Sequence, residues 1–146
     1  MNDERVFLDT NIIVYAYDRD ADRKHEIARD LLIDLWNAGG GILSPQVLQE
    51  FYVTVTKKIA SPLASESARE IIEDFLTWDI VANDGESVLD AIDIQTSEKI
   101  SFWDALVVVA ARKGGADEIL SEDLSDGRKF GEIAVRNPFL GAKGNF

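Results

Sequence analysis

The chain has 146 residues, 46% of them hydrophobic, with no cysteine, one histidine and a formal net charge of −12. This size and composition fit a single domain spanning 1–146 and exclude disorder, disulfides, iron–sulfur clusters and thiol chemistry, while His25 alone leaves almost no material for histidine metal sites or serine-type triads. The 27 acids against 15 bases argue against nonspecific nucleic-acid binding and for a basic partner.

In chain order, Arg5–Leu8 predicts a short strand ending at Asp9, and Asn11–Tyr17 a helix. Asp22–Ala38 predicts a longer helix with Ile27, Leu31 and Leu35 on one face, ended by Gly39-Gly40-Gly41. After the strand Ile42-Leu43, Ser44-Pro45 supplies an N-cap and a first-turn proline for a helix to Lys58 that carries Glu50. Ser67 and Glu70 have capping-box spacing at the start of a helix to Trp78. Ile80-Val81 predicts a strand, and Gly85–Ser97 and Phe102–Lys113 helices, the second carrying Asp104. Glu118–Ser121 predicts the next strand, leading to Asp123, and Ile133–Val135 an edge strand. Strands alternating with helices imply an α/β fold, a three-layer α/β/α sandwich around a short, mostly parallel central sheet. The longest apolar run, Ala105 to Ala111, falls short of the ~20 residues of a membrane span. Residues Met1 to Arg5 lack the regions of a signal peptide, so a soluble cytoplasmic protein is expected.

Asp9, Glu50, Asp104 and Asp123 lie in or beside the most apolar stretches, with no Lys or Arg within two residues of any of them. An ionised carboxylate buried without a partner costs several kcal/mol, so such groups neutralise, pair or bind a metal. In open α/β sheets, sites form beyond the carboxyl ends of the strands. Asp9 and Asp123 sit at such ends, Asp104 in the first turn of its helix and Glu50 in the second turn after Pro45, which places all four on one rim. Each also has an ordinary explanation: Ser101 to Asp104 has capping-box spacing, Asp9 can form an Asx-turn, Glu50 lies at the edge of an apolar helix face, and Asp123 sits in a turn-like stretch. Their coincidence on one rim favours a cluster, for which a hard divalent cation is the natural counter-charge.

Other signals fail or have plain readings. Asp18, Asp20 and Asp22 resemble an EF-hand start, but Arg23 and Arg29 stand where Gly and Glu are required. The glycine triplet has no Gly-Lys-Ser/Thr continuation, so no nucleotide cofactor is expected. Lys57-Lys58, Arg112-Lys113 and Arg128-Lys129 are candidate substrate contacts, though the first two also suit helix C-termini. His25 reads as a solvated surface residue, and Trp36, Trp78 and Trp103 as core or interface, not base-stacking platforms.

Leu8-Asp9-Thr10-Asn11-Ile12, Glu50 in a mid-chain helix, Phe102-Trp103-Asp104-Ala105 and Leu120-Ser121-Glu122-Asp123-Leu124 together resemble the PIN-domain family, in order and spacing over nearly the whole chain. The pattern is most similar to VapC-type toxins of prokaryotic toxin–antitoxin pairs. The resemblance implies an endoribonuclease dependent on Mg²⁺ or Mn²⁺, with Asp9, Glu50, Asp104 and Asp123 as its acidic catalytic and metal-binding set and Thr10, Asn11 and Ser121 in support. Relatives often carry a further acid two residues after the one matched by Asp123; here Ser125 stands there and Asp126 follows as a supporting candidate. An RNA substrate, an antitoxin with a basic segment and a homodimer are implied as partners. Asp9 and Asp104 are first choices as direct ligands, with Glu50 and Asp123 direct or water-bridged, or Glu50 helping to deprotonate the attacking water.

Two rival classes are weaker on the residues. A haloacid-dehalogenase-type phosphatase needs an aspartate two residues after the first, where Asn11 stands. A non-catalytic interaction module would use the acids only as caps and pairs, and a receiver-type one needs an acidic pair and a late lysine that are not evident.

Overall fold

A computed structural model describes residues 4–143. The elements run β1 (Val6–Leu8), α1 (Thr10–Tyr17), α2 (Arg23–Ala38), β2 (Gly41–Leu43), α3 (Pro45–Lys57), α4 (Ser65–Phe75), β3 (Asp79–Ile80), α5 (Gly85–Glu98), α6 (Phe102–Lys113), β4 (Glu118–Leu120), β5 (Lys129–Phe130), β6 (Ile133–Arg136) and α7 (Pro138–Lys143). The six strands lie in the order β3-β2-β1-β4-β6-β5 and are parallel except for β5. The fold is thus α/β with a mostly parallel central sheet flanked by helices. β1 pairs with both β2 and β4, and all three of its residues are buried, which is why Val6-Phe7-Leu8 reads as an unbroken apolar run.

Connectivity places the helices. The chain steps outward from β1 to β2 to β3 through α1–α2 and α3–α4, then returns past β1 to β4 through α5–α6. Because parallel crossovers are right-handed, reversing the direction moves α5 and α6 to the opposite face. α5 and α6 accordingly pack on each other, while α1 contacts both α2 and α3. The strand order reverses between β1 and β4, the position where open α/β sheets leave a crevice.

Several local expectations need correction. β6 pairs with β4 on one side and β5 on the other, so Ile133–Val135 is interior and Lys129–Phe130 is the edge. The Ser67–Glu70 capping box does not form: α4 begins at Ser65 after Ala64, with no side-chain cap. That earlier start lets Ala68 and Phe75, two turns apart, face the core together. The capping box that does form joins Asp84 and Ser87 at the head of α5. His25 is half-buried, and its Nδ1 donates to the Tyr15 carbonyl at 2.9 Å, tying α2 to α1. Trp36 and Trp78 pack on each other and on Phe75, as expected of core-edge aromatics. No helix among the described residues is long and apolar enough to cross a membrane.

Gly41 opens β2 directly beneath the Trp78 ring, where an added Cβ would lie 2.4 Å from two ring carbons. The ring packs on Trp36 and Phe75, so moving it aside would break both contacts. Gly41→Ala is therefore expected to destabilise the protein by ~1–3 kcal/mol, the usual range for overpacking, read as a lower urea midpoint at unchanged m-value.

Candidate active site

The crevice is built around Asp9. Its main-chain N–H donates to the Leu120 carbonyl at 3.0 Å, extending the β1–β4 ladder by one residue. The residue keeps an extended backbone and caps α1, its Oδ1 accepting the Thr10 N–H at 2.8 Å, while Oδ2 accepts the Ser121 hydroxyl at 2.9 Å. Ser121 is wholly buried, and its Oγ also accepts the N–H groups of Asp123 and Leu124, each at 3.2 Å. Two accepted bonds leave the hydroxyl proton for Asp9, so one serine fixes the Asp9 carboxylate and folds the loop that carries Asp123.

The remaining acids come from flanking helices. Glu50 on α3 accepts the Thr10 hydroxyl at 2.7 Å, which ties α3 to the head of α1. Asn11 Nδ2 lies 3.4 Å from Asp123 Oδ2. In α6 the cap is Ser101, whose Oγ accepts the Asp104 N–H at 3.0 Å; the Asp104 carboxylate lines the crevice. The Ser101 half of the capping box thus forms through the Asp104 main chain, while the residue also borders the crevice. Asp9, Glu50, Asp104 and Asp123 all border one cleft of about 430 Å³, together with Thr10 and Asn11. Asp126 is not in it. Its Oδ1 accepts the Asn137 N–H at 2.8 Å and fastens the β4–β5 connection to the end of β6.

Lys58, a candidate substrate contact from sequence, lines the cleft. Gln46, Thr54 and Trp103 line it too and were missed, Trp103 being 62% exposed rather than core. Gln46, Glu50, Thr54 and Lys58 repeat every four residues along one face of α3, a signal that could have found Gln46 and Thr54. The other basic pairs have structural work: Lys113 donates to the Ala82 carbonyl at 2.8 Å, and Arg128 bonds Glu98 while lying 4.9 Å from the Phe130 ring centre.

Burial pushes the Asp9 carboxyl up from 3.8 to about 6; the Thr10 and Ser121 bonds oppose the rise, and the charges of Asp123 and Asp104 add to it. Asp123 is also raised, by burial and then by Asp104 and Glu122. Among the described residues no three acids form a ready-made metal cage. The donors nevertheless fit a hydrated divalent cation. All are hard oxygens in a negative cleft, and Mg²⁺ commonly takes one or two carboxylates while keeping several waters. Gln46 Oε1 is buried in the cleft wall with no donor among the described residues, an acceptor suited to such a water.

The Asp9 shift has a stability consequence with a definite sign. The native state holds this proton more tightly than the unfolded chain, so its contribution falls as pH rises from about 4 to about 6, by ~3 kcal/mol in metal-free protein. Asp9→Asn removes that loss but leaves one of two donors, Thr10 N–H or the Ser121 hydroxyl, without an acceptor, at ~1 kcal/mol. In EDTA at pH 7.5 the variant is therefore expected to be ~2 kcal/mol more stable than wild type, and less stable below pH 4, measured by urea denaturation across pH.

A similar fold is found in solved structures. One is the Mycobacterium tuberculosis toxin VapC20, described as cleaving the sarcin–ricin loop, at 19% identity and TM-score 0.61, with 81% of this chain and 91% of that one covered. A toxin–antitoxin complex from Klebsiella pneumoniae gives 16% identity and TM-score 0.65, covering 91% and 97%. VapBC2 from Rickettsia felis, bound to a promoter DNA fragment, gives 20% identity and TM-score 0.62, covering 90% and 97%. No curated protein sequence matches the chain. The PIN domain profile matches residues 6–130, which contain β1 to β5 and all four acids, and the chain belongs to the PIN-domain family.

Proposed function

We propose that this protein is a divalent-metal-dependent endoribonuclease and the toxin of a toxin–antitoxin pair. The observation that carries the reading is the gathering of Asp9, Glu50, Asp104 and Asp123 around one cleft at the point where strand order reverses. Membership of the PIN-domain family supports it, as do similar structures described as an RNA-loop-cleaving toxin and as toxin–antitoxin complexes.

In this reading the residues divide the work by environment. Asp9, held by Thr10 and Ser121, is the fixed point of the site and its deepest carboxylate. Asp104 and Asp123 stand close enough to Asp9 to raise its pKa, so a cation in the cleft would relieve a mutual repulsion already present. These acids and Glu50 would hold Mg²⁺ or Mn²⁺, directly or through water, and Asn11 would steady Asp123. Bound there, the cation supplies Lewis-acid polarisation of a phosphodiester and lowers the pKa of an attacking water. Glu50, exposed and oriented by the Thr10 hydroxyl, is placed to take the proton from that water. The net charge of −12 suits an antitoxin whose basic segment would enter the cleft and pair with its carboxylates. Further copies of the chain would assemble as a homodimer, and the cytoplasm is the compartment proposed for it.

Purified protein is expected to cut RNA in Mn²⁺ or Mg²⁺ and to stop in EDTA. Asp9→Asn and Asp104→Asn should each slow cleavage by roughly 100-fold or more, since a lost ligand forfeits several kcal/mol of charge stabilisation. Mn²⁺ should raise the wild-type Tm by mass action and do so less in both variants. Metal-independent cleavage, or an Asp104→Asn protein with full activity, would contradict the proposal.

A further inference from the structure

Leaving an indole in water is unfavourable, and the other two tryptophans limit it by packing on Phe75 and each other, although Trp36 stays 40% exposed. Trp103 is more exposed and has no such cluster. It meets Phe102 edge-on, with ring centres 5.3 Å apart, and stays 62% exposed in the wall of the acidic cleft, one residue before Asp104. Lys58, at the C-terminal cap of α3, lines the same cleft and is the basic residue among its lining. Lys24, Lys113, Arg5, Arg128 and Arg136 each pair with an acid, but among the described residues Lys58 forms no ion pair. It caps the C-terminus of α3 eight residues after Glu50, ~12 Å further along the helix axis backbone to backbone. A cation set apart from Glu50 in this way suits a phosphate neighbouring the one held by the acids.

We propose that Trp103 and Lys58 form a nucleotide-holding subsite beside the scissile position. The indole stacks on an unpaired base and the ammonium meets an adjacent phosphate. The inference rests on the nuclease reading and deepens it, because it assigns two residues to holding a nucleotide whose base face a duplex would keep covered. A basic segment complements the carboxylates of the cleft but not Lys58, whereas a nucleotide offers the indole and the ammonium each a complement.

The test reads binding apart from cleavage. Asp9→Asn protein in Mg²⁺ is titrated with a fluorescein-labelled ten-nucleotide single-stranded RNA, by anisotropy, with intact RNA verified on gels. Adding Trp103→Ala is expected to weaken binding roughly 5-fold or more, as alanine substitution at stacking sites does, with Trp103→Phe recovering most of it. Adding Lys58→Met should lower the slope of log affinity against log salt by about 0.7, one phosphate contact on a single strand. The same sequence annealed to its complement should compete poorly. Unchanged affinity in Trp103→Ala, equal binding of duplex, absence of RNA binding, or Trp103-dependent capture of an arginine-rich peptide in its place would overturn the subsite. Wild-type cleavage in Mn²⁺ separates the two claims. Trp103-dependent binding without any cleavage would sink the nuclease reading alone, and cleavage with Trp103-independent binding would sink the subsite alone.

Discussion

A carboxylate buried at the junction of two parallel strands is the constraint on which the rest of this structure turns. Asp9 is 7% exposed and has no cationic partner among the described residues, so its charge is tolerated only through two hydrogen bonds and a raised pKa. Each bond recruits a further element. The Thr10 N–H comes from the first turn of α1, whose hydroxyl then binds Glu50 on α3. Ser121 comes from the end of β4 and organises the Asp123 loop through its two accepted N–H bonds. Three segments distant in sequence are thereby held to one carboxylate at the strand-order reversal.

The Asp123 loop is also held from its far side. Glu122 accepts the Tyr15 hydroxyl at 2.7 Å and pairs with Lys24, whose ammonium lies 5.1 Å from the Tyr15 ring centre and 5.6 Å from that of Phe139. Burial disfavours the ionised Glu122, but the Lys24 and Tyr15 bonds outweigh it and keep its carboxyl below the usual range. Two adjacent acids thus have opposite fates. Glu122 is neutralised by the helices beneath it, while Asp123 is left facing Asp9 and Asp104. The cleft stays electronegative because Asp9, Glu50, Asp104 and Asp123 border it against a single lysine, Lys58, while Lys24 is spent on Glu122.

Much of this was legible because burial of charge leaves a mark in sequence. Acids embedded in Val6-Phe7-Leu8 and Ala105–Val109 stand out, and the strand–helix alternation puts them on one rim without any knowledge of distance. The misses share a cause, in that they depend on which way a side chain turns once the helices are packed. Trp103 reads as core by composition and is exposed because it lies in the first turn of α6, beyond the buried run that starts at Ala105. Ser67 and Glu70 have the spacing of a cap, but burial of Ala68 and Phe75 set the start of α4 elsewhere. β5 has two residues, too few to show any period. Asp126 looks like its neighbour Asp123 in sequence, yet the turn aims it at the Asn137 amide.

The direct test of a buried, partner-poor Asp9 as the organising group is its own titration. Carboxyl ¹³C NMR of the wild-type chain in EDTA, with Asp9 assigned by its absence in Asp9→Asn, reports that pKa without any assay of function. The structure requires a value near 6, well above the ordinary 3.8, and a drop when Mg²⁺ is added. A midpoint near 4 in EDTA, unmoved by Mg²⁺, would mean that Asp9 is neither desolvated nor crowded by its neighbours, and the account of the cleft built on it would be wrong.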